Sequence, residues 1–116
     1  LTSYGLPVAL SPLIAQIEEQ IMAPLFLIYT PDVKRDAARV AVSLRKSIPT
    51  VLDVMGRSMG AQLKAASGAG AKYAVILGRE ELDSGRLILR DMASGEQETL
   101  TQEEIEERLG PVYASD

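Results

Sequence analysis

The chain has 116 residues, enough for one domain with its own core, and 47% of them are hydrophobic, which excludes a disordered chain. It contains no cysteine and no histidine, so a disulfide framework, a thiolate nucleophile or metal site and the commonest general base are all excluded. The net charge of −4, taken alone, argues against a nucleic-acid partner.

The charge is unevenly spread. Thr30 to Arg79 carries nine basic residues against three acidic ones, and Glu80 to Asp116 carries eleven acidic against three basic. A half-basic, half-acidic domain can offer one positive face to phosphates, and it can equally be solvated surface on both halves. No apolar run reaches membrane-spanning length and no basic–apolar–small leader opens the chain, so the expected location is the cytoplasm.

In chain order, residues 1–24 read as a linker or the remnant of an upstream domain. Pro7 and Pro12 break the first stretch; Ser11 is placed to cap a helix whose stripe is Leu13, Ile14, Ile17 and Ile21, and Ala23-Pro24 ends it. Leu25–Tyr29 is a short continuous apolar run, expected as a strand buried on both faces. Thr30-Pro31 should open a helix over Asp32–Ser47. Its inner face is Val33, Ala37, Val40, Ala41 and Leu44, with Lys34, Arg35, Arg39, Arg45 and Lys46 on the remainder. Thr50–Val54 is expected as the second strand.

The stretch from Asp53 to Gly78 is the densest in signals. Gly56 and Gly60 flank Arg57 and Ser58, so a cation and a hydroxyl stand at the mouth of a helix, Ser58–Ser67. A helix mouth carries free N–H groups and partial positive charge suited to anions. The plainer reading is an ordinary strand–turn–helix crossover with a good cap. The helix should bury Met59, Leu63 and Ala66 and show Gln62 and Lys64; Gly68 and Gly70 stop it, and Tyr73–Leu77 is a third buried strand. Three apolar strands separated by two amphipathic helices make a βαβαβ unit with a parallel core.

After Gly78 the pattern changes. A short acidic turn, Arg79–Ser84, is too short for a parallel crossover, so the strand Gly85–Arg90 should run antiparallel to the third. Ala93-Ser94-Gly95 is a hairpin turn and Glu96–Leu100 a mostly polar edge strand. Thr101 and Glu104 form a capping box for a helix Thr101–Leu109, with Ile105 and Leu109 as its apolar edge; Gly110–Asp116 reads as a frayed tail.

No catalytic set emerges, because no hydroxyl has a base to activate it and the glutamates around Glu103–Glu107 have the spacing of a solvated helix face. The Gly56–Gly60 turn lacks the Gly-Lys-Ser/Thr of a phosphate-binding loop and the G-x-G-x-x-G of a dinucleotide site, which disfavours a generic nucleotide-binding domain. The residues describe an α/β binding domain with a basic half.

Four pieces together carry a family resemblance: Gly-Arg-Ser-x-Gly-x-Gln-Leu-Lys-x-Ala (Gly56–Ala66), Gly-Ala-x-x-Ala-Val-Ile-x-Gly (Gly70–Gly78), Glu-Leu-x-x-Gly (Glu81–Gly85) and Gly-Glu-Gln-Glu (Gly95–Glu98). In this order the sequence resembles the C-terminal anticodon-binding domain of class II aminoacyl-tRNA synthetases, the histidyl enzyme above all. The resemblance implies a three-layer α/β/α domain over residues 25–116, with a five-stranded mixed sheet of order 2-1-3-4-5 and strand four antiparallel. It implies that Arg57, Ser58, Gln62 and Lys64 meet the anticodon loop of the histidine tRNA, the cations on phosphate and Gln62 on a base or ribose. Glu81 and Arg90 would read bases. Both are expected toward one end of the sheet, yet antiparallel strands put them about a strand's length apart, bracketing the RNA.

In a full histidyl enzyme the region before Leu25 would include an ATP-binding arginine, but the first basic residue here is Lys34. The chain by itself is therefore expected not to activate histidine and to need no cofactor or metal; ATP and histidine would bind a separate catalytic domain of a parent ligase, expected as a homodimer that takes neither DNA nor membrane. The alternative reading is a non-catalytic, synthetase-like paralogue in which the fold serves protein interaction or dimerisation.

Overall fold

A computed structural model describes residues 23–53 and 55–114. The helix expected after Ser11 lies outside the described residues, as do Val54 and the last two residues.

Five strands form one sheet: β1 (Leu25–Tyr29), β2 (Thr50–Leu52), β3 (Tyr73–Leu77), β4 (Leu87–Asp91) and β5 (Gln97–Leu100). Their order is β2-β1-β3-β4-β5. β1 pairs in parallel with β2 and β3, while β4 runs antiparallel to both β3 and β5. Topology and strand directions are those the sequence implied. Right-handed crossovers enforce the parallel part, and the short link Arg79–Ser84 enforces the reversal.

Side chains alternate between two cores, as the pleat requires. On one face Leu25, Leu27, Tyr29, Val75, Leu77, Leu87, Leu89 and Leu100 pack under α1 (Lys34–Leu44) and α4 (Gln102–Tyr113). On the other, Ile28, Ala74 and Ile76 pack with Ala66 of α2 (Met59–Gly68), joined by half-buried Phe26, Met59, Leu63 and Ile88. α2 covers the middle of this second face, and the outer residues of β4 and β5 there, Gln97 and Thr99, stay exposed.

Several boundaries move from the sequence reading. The helix expected from Asp32 opens with a 3-10 turn, Pro31–Val33, and its α-helical part ends at Leu44; Thr30 precedes it without a side-chain cap bond. β2 stops at Leu52. The acidic stretch Arg79–Ser84 is a helix, α3, ended by Gly85 in the left-handed region at φ +74. β4 begins at Leu87 rather than Gly85. The largest correction is at the C-terminus. Gly110-Pro111 signals a stop, yet α4 runs through Pro111 to Tyr113, whose ring is only 9% exposed. Tertiary burial overrides the local signal.

Helices α1 and α4 touch through Gln102 Nε2, which donates to Ser43 Oγ at 2.7 Å. Their outer surfaces differ in sign. α1, beside β2, exposes Arg35 and Arg39; α4, tied to β5 by the Arg108–Glu98 pair, exposes Glu103, Glu104 and Glu107.

Candidate nucleic-acid interface

The turn between β2 and α2 is built from its own backbone needs. Gly56 sits at φ +70, a conformation that L side chains rarely adopt. Ser58 is the N-cap of α2, and its Oγ accepts from Ala61 N at 3.2 Å. Asp53 Oδ1 accepts from Met55 N at 2.8 Å and its Oδ2 takes Arg57 Nε at 2.8 Å. The Met55 N–H, and after it the Arg57 guanidinium, hold the Asp53 carboxyl below the usual carboxylate range, against the opposing effect of burial. Arg57 therefore stands at the mouth of α2 with one flank anchored and its other nitrogens free of partners among the described residues.

Gln62 departs from its expected place. The sequence places it on the exposed face, meeting RNA, but it is 2% exposed. Its Oε1 accepts from Tyr29 N at 3.0 Å, and its Nε2 donates to Tyr29 O at 2.9 Å and to Arg57 O at 2.7 Å. β2 ends at Leu52, so the last residue of β1 has lost its strand partner on that side, and the side-chain amide supplies the two bonds a further strand residue would have made. With both amide hydrogens committed, Gln62 holds the Arg57 turn onto the sheet. The Tyr29 hydroxyl adds a bond to Asp53 O.

Lys64 is exposed on the outer side of α2, as expected. Glu81 lies in α3, at the carboxyl end of β3. Its Oε1 accepts from Gly78 N at 2.9 Å, and a Cβ at Gly78 would lie 2.8 Å from that oxygen, so a side chain there would make the end of the carboxylate shift. Arg90 stands opposite Ala74, at the other end of β3. Glu81 and Arg90 are thus a strand's length apart and at opposite ends of the sheet; the expectation that both sit toward one end is corrected. Arg57, Ser58 and Gln62 come together, Glu81 shares their carboxyl-end rim, and Arg90 stands apart.

Residues that the sequence did not single out complete the picture. Arg79 Nε bridges to Asp32 Oδ2 at 3.3 Å across the carboxyl ends of β3 and β1. Arg90 Nη1 donates to Gln97 Oε1 at 2.9 Å. Counting outward from the hairpin turn would have found that second pair, because Arg90 and Gln97 are cross-strand neighbours.

Residues 13–110 match a family described as the anticodon binding domain. The chain belongs to that family. The domain is 46% identical over 85 residues to the histidine–tRNA ligase of Methanosarcina acetivorans, covering 73% of this chain and 21% of that protein. It is 49% identical over 63 residues to that of Thermotoga maritima, covering 53% and 15%. Among solved structures, apo histidyl-tRNA synthetase of S. aureus superposes with a TM-score of 0.68 at 27% identity, over 84% of this chain and 27% of that one. The RNA binding domain of threonyl-tRNA synthetase from Cryptosporidium parvum gives 0.68 at 15% identity, over 79% and 24%, a likeness of fold alone. The chain spans about a fifth of the length of the first of these curated relatives.

The Glu81 carboxylate accepts from Gly78 N, and one substitution tests whether it also meets RNA. Glu81→Gln keeps an oxygen for Gly78 N but removes the charge. If Glu81 accepts from base N–H groups, discrimination among anticodon-swapped tRNAs relaxes by about 1–3 kcal/mol while the melting curve stays put. Equal loss of affinity for all tRNAs would mean that Glu81 positions the RNA without reading it.

Proposed function

We propose that this chain is the tRNA anticodon-binding domain of a histidine–tRNA ligase, taking the anticodon loop of the histidine tRNA for its parent enzyme. The observation that carries the reading is the Arg57 turn. Gln62 and Asp53 fix it from below, which presents a guanidinium at a helix mouth, with Lys64 further along the same helix. A loop phosphate meeting that site gains charge-assisted hydrogen bonds at little ordering cost. The relatives named above are ligases, which does not favour the non-catalytic paralogue.

In this reading residues 25–116 are the domain and residues 1–24 a linker or upstream remnant. The parent is a cytoplasmic homodimer whose separate catalytic domain binds ATP and histidine, and the domain itself takes no cofactor, DNA or membrane. Among the described residues no helix is long and apolar enough to cross a membrane.

The direct test is a titration of the chain with histidine tRNA and an anticodon-swapped control at stated salt, since phosphate binding is strongly salt dependent. Equal affinity for both overturns the anticodon reading. Within it, Lys64→Ala is expected to weaken binding to every tRNA alike and to reduce the salt slope by about one. An unchanged slope would assign Lys64 to plain surface.

A further inference from the structure

β2 is an edge of the sheet: among the described residues it pairs with β1 and with no other strand. Its register fixes which backbone groups remain. Leu25 N donates to Pro49 O at 2.9 Å, and Leu25 lies opposite Thr50. In such a parallel ladder Pro49 and Val51 turn their polar groups toward β1, while Thr50 and Leu52 turn theirs away from it. Ile48, just before the strand, has both of its groups occupied. Its N–H donates to Leu44 O at 2.8 Å, and its carbonyl accepts from Thr50 Oγ1 at 2.8 Å. The Thr50 carbonyl is occupied as well. Arg45, the residue after α1, donates to it through Nε at 2.8 Å. That oxygen faces away from β1, so the guanidinium stands on the open side of β2, where a sixth strand would lie. The two edges of the sheet are otherwise unequally defended. β5 shows Gln97, Glu98 and Thr99, polar side chains that discourage pairing. β2 shows Val51, a β-branched apolar side chain that is 38% exposed.

We infer that Arg45 is a guard residue: by holding the Thr50 carbonyl it keeps the β2 edge from pairing with the β2 edge of a second copy of this chain. The edge is self-complementary without it. A two-fold axis through Val51 sets the two copies of that residue opposite each other as a non-hydrogen-bonded antiparallel pair. Thr50 of each copy then lies opposite Leu52 of the other, and the two exchange both of their backbone bonds. Half of those bonds end on the Thr50 carbonyls, which Arg45 already occupies. The same guanidinium brings a cation close to the axis, where the other copy brings its own. This inference is independent of the function proposed above.

The test uses a thiol as reporter. The chain contains no cysteine, so Val51→Cys gives one thiol per copy. Two such thiols in a non-hydrogen-bonded pair lie close enough to form a disulfide. The rate of cross-linking in a glutathione buffer is compared for Val51→Cys alone and for Val51→Cys combined with Arg45→Ala or with Arg45→Lys. Lysine keeps the charge at the end of α1 but puts a carbon where Nε stood. Replacing Arg45 is expected to raise cross-linking about tenfold, the scale of the hydrogen bonds regained, and more for Arg45→Ala than for Arg45→Lys. The difference should vanish in denaturing urea, where no edge exists. In Arg45→Ala without the thiol, hydrogen exchange at the Thr50 and Leu52 amides should slow as the protein concentration rises, and in the wild type it should not. Equal cross-linking with and without Arg45 in the folded proteins overturns the inference, as does exchange in Arg45→Ala that ignores concentration. Loss of a cooperative melting curve in both Arg45 variants would make the residue a prop of the corner between α1 and β2, and overturns it too.

Discussion

Gln62→Leu is expected to destabilise the domain by about 4 kcal/mol, the larger part of a small domain's stability. Leucine fills similar space, so the loss comes from polar groups and not from a cavity. Without the amide, Tyr29 N–H, Tyr29 C=O and Arg57 C=O all lose their partners, and each buried group left so costs about 1–3 kcal/mol. Gln62→Glu should be harmful too, because it turns a carboxylate oxygen toward two carbonyls in a buried place. Urea denaturation of the three proteins measures this. A loss under about 1 kcal/mol for Gln62→Leu would mean that these three bonds hold little of the fold. RNA affinity should fall with it, since the Arg57 turn is tied to the sheet by the same amide.

Tyr113→Ala is expected to cost about 3 kcal/mol, the usual scale for removing a buried aromatic ring. The phenol hydroxyl is buried without a hydrogen-bond partner among the described residues, so Tyr113→Phe should be neutral or slightly stabilising. Burial, and after it the neighbouring Tyr73, pushes the Tyr113 phenol up to about 12. An unfolded tyrosine titrates near 10, so the folded-state value is the raised one. The stability tied to that shift is fully present below about pH 10 and drains away as pH rises through about 12. Tyr113→Phe should flatten this alkaline slope. A melting curve for Tyr113→Ala within about 0.5 kcal/mol of the wild type would mean that the last turn of α4 only decorates the surface.

Much of the fold could be read from particular residues. Leu25–Tyr29 and Tyr73–Leu77 are apolar at every position, and each fills both cores through alternate side chains. Thr101 and Glu104 cap α4 as a reciprocal box. What escaped was information that only tertiary structure supplies. Gln62 occupies a helical position where a polar side chain ordinarily faces water, and nothing local says that β2 will end early and leave Tyr29 needing an amide. Gly110-Pro111 is a stop signal on local grounds, and only the buried place waiting for Tyr113 cancels it. Glu80, Glu81 and Asp83 read as an acidic turn until the fold-back of Glu81 onto Gly78 makes them a helix. The site divides in the same way. Arg57 and Ser58 announce themselves by their flanking glycines, whereas Asp53 and Gln97, which hold the two arginines, look ordinary in the chain.

The opposite signs of α1 and α4 bear on what happens before any contact forms. With the cations beside β2 and the carboxylates beside β5, the molecule carries a dipole lying across its strands. Near a polyanion this dipole exerts a torque that turns the β2 side, with the Arg57 turn, inward during the approach, while the carboxylates on the far side shun it. Orientation of this kind shortens the search for a productive encounter, so added salt should slow arrival more than it hastens departure.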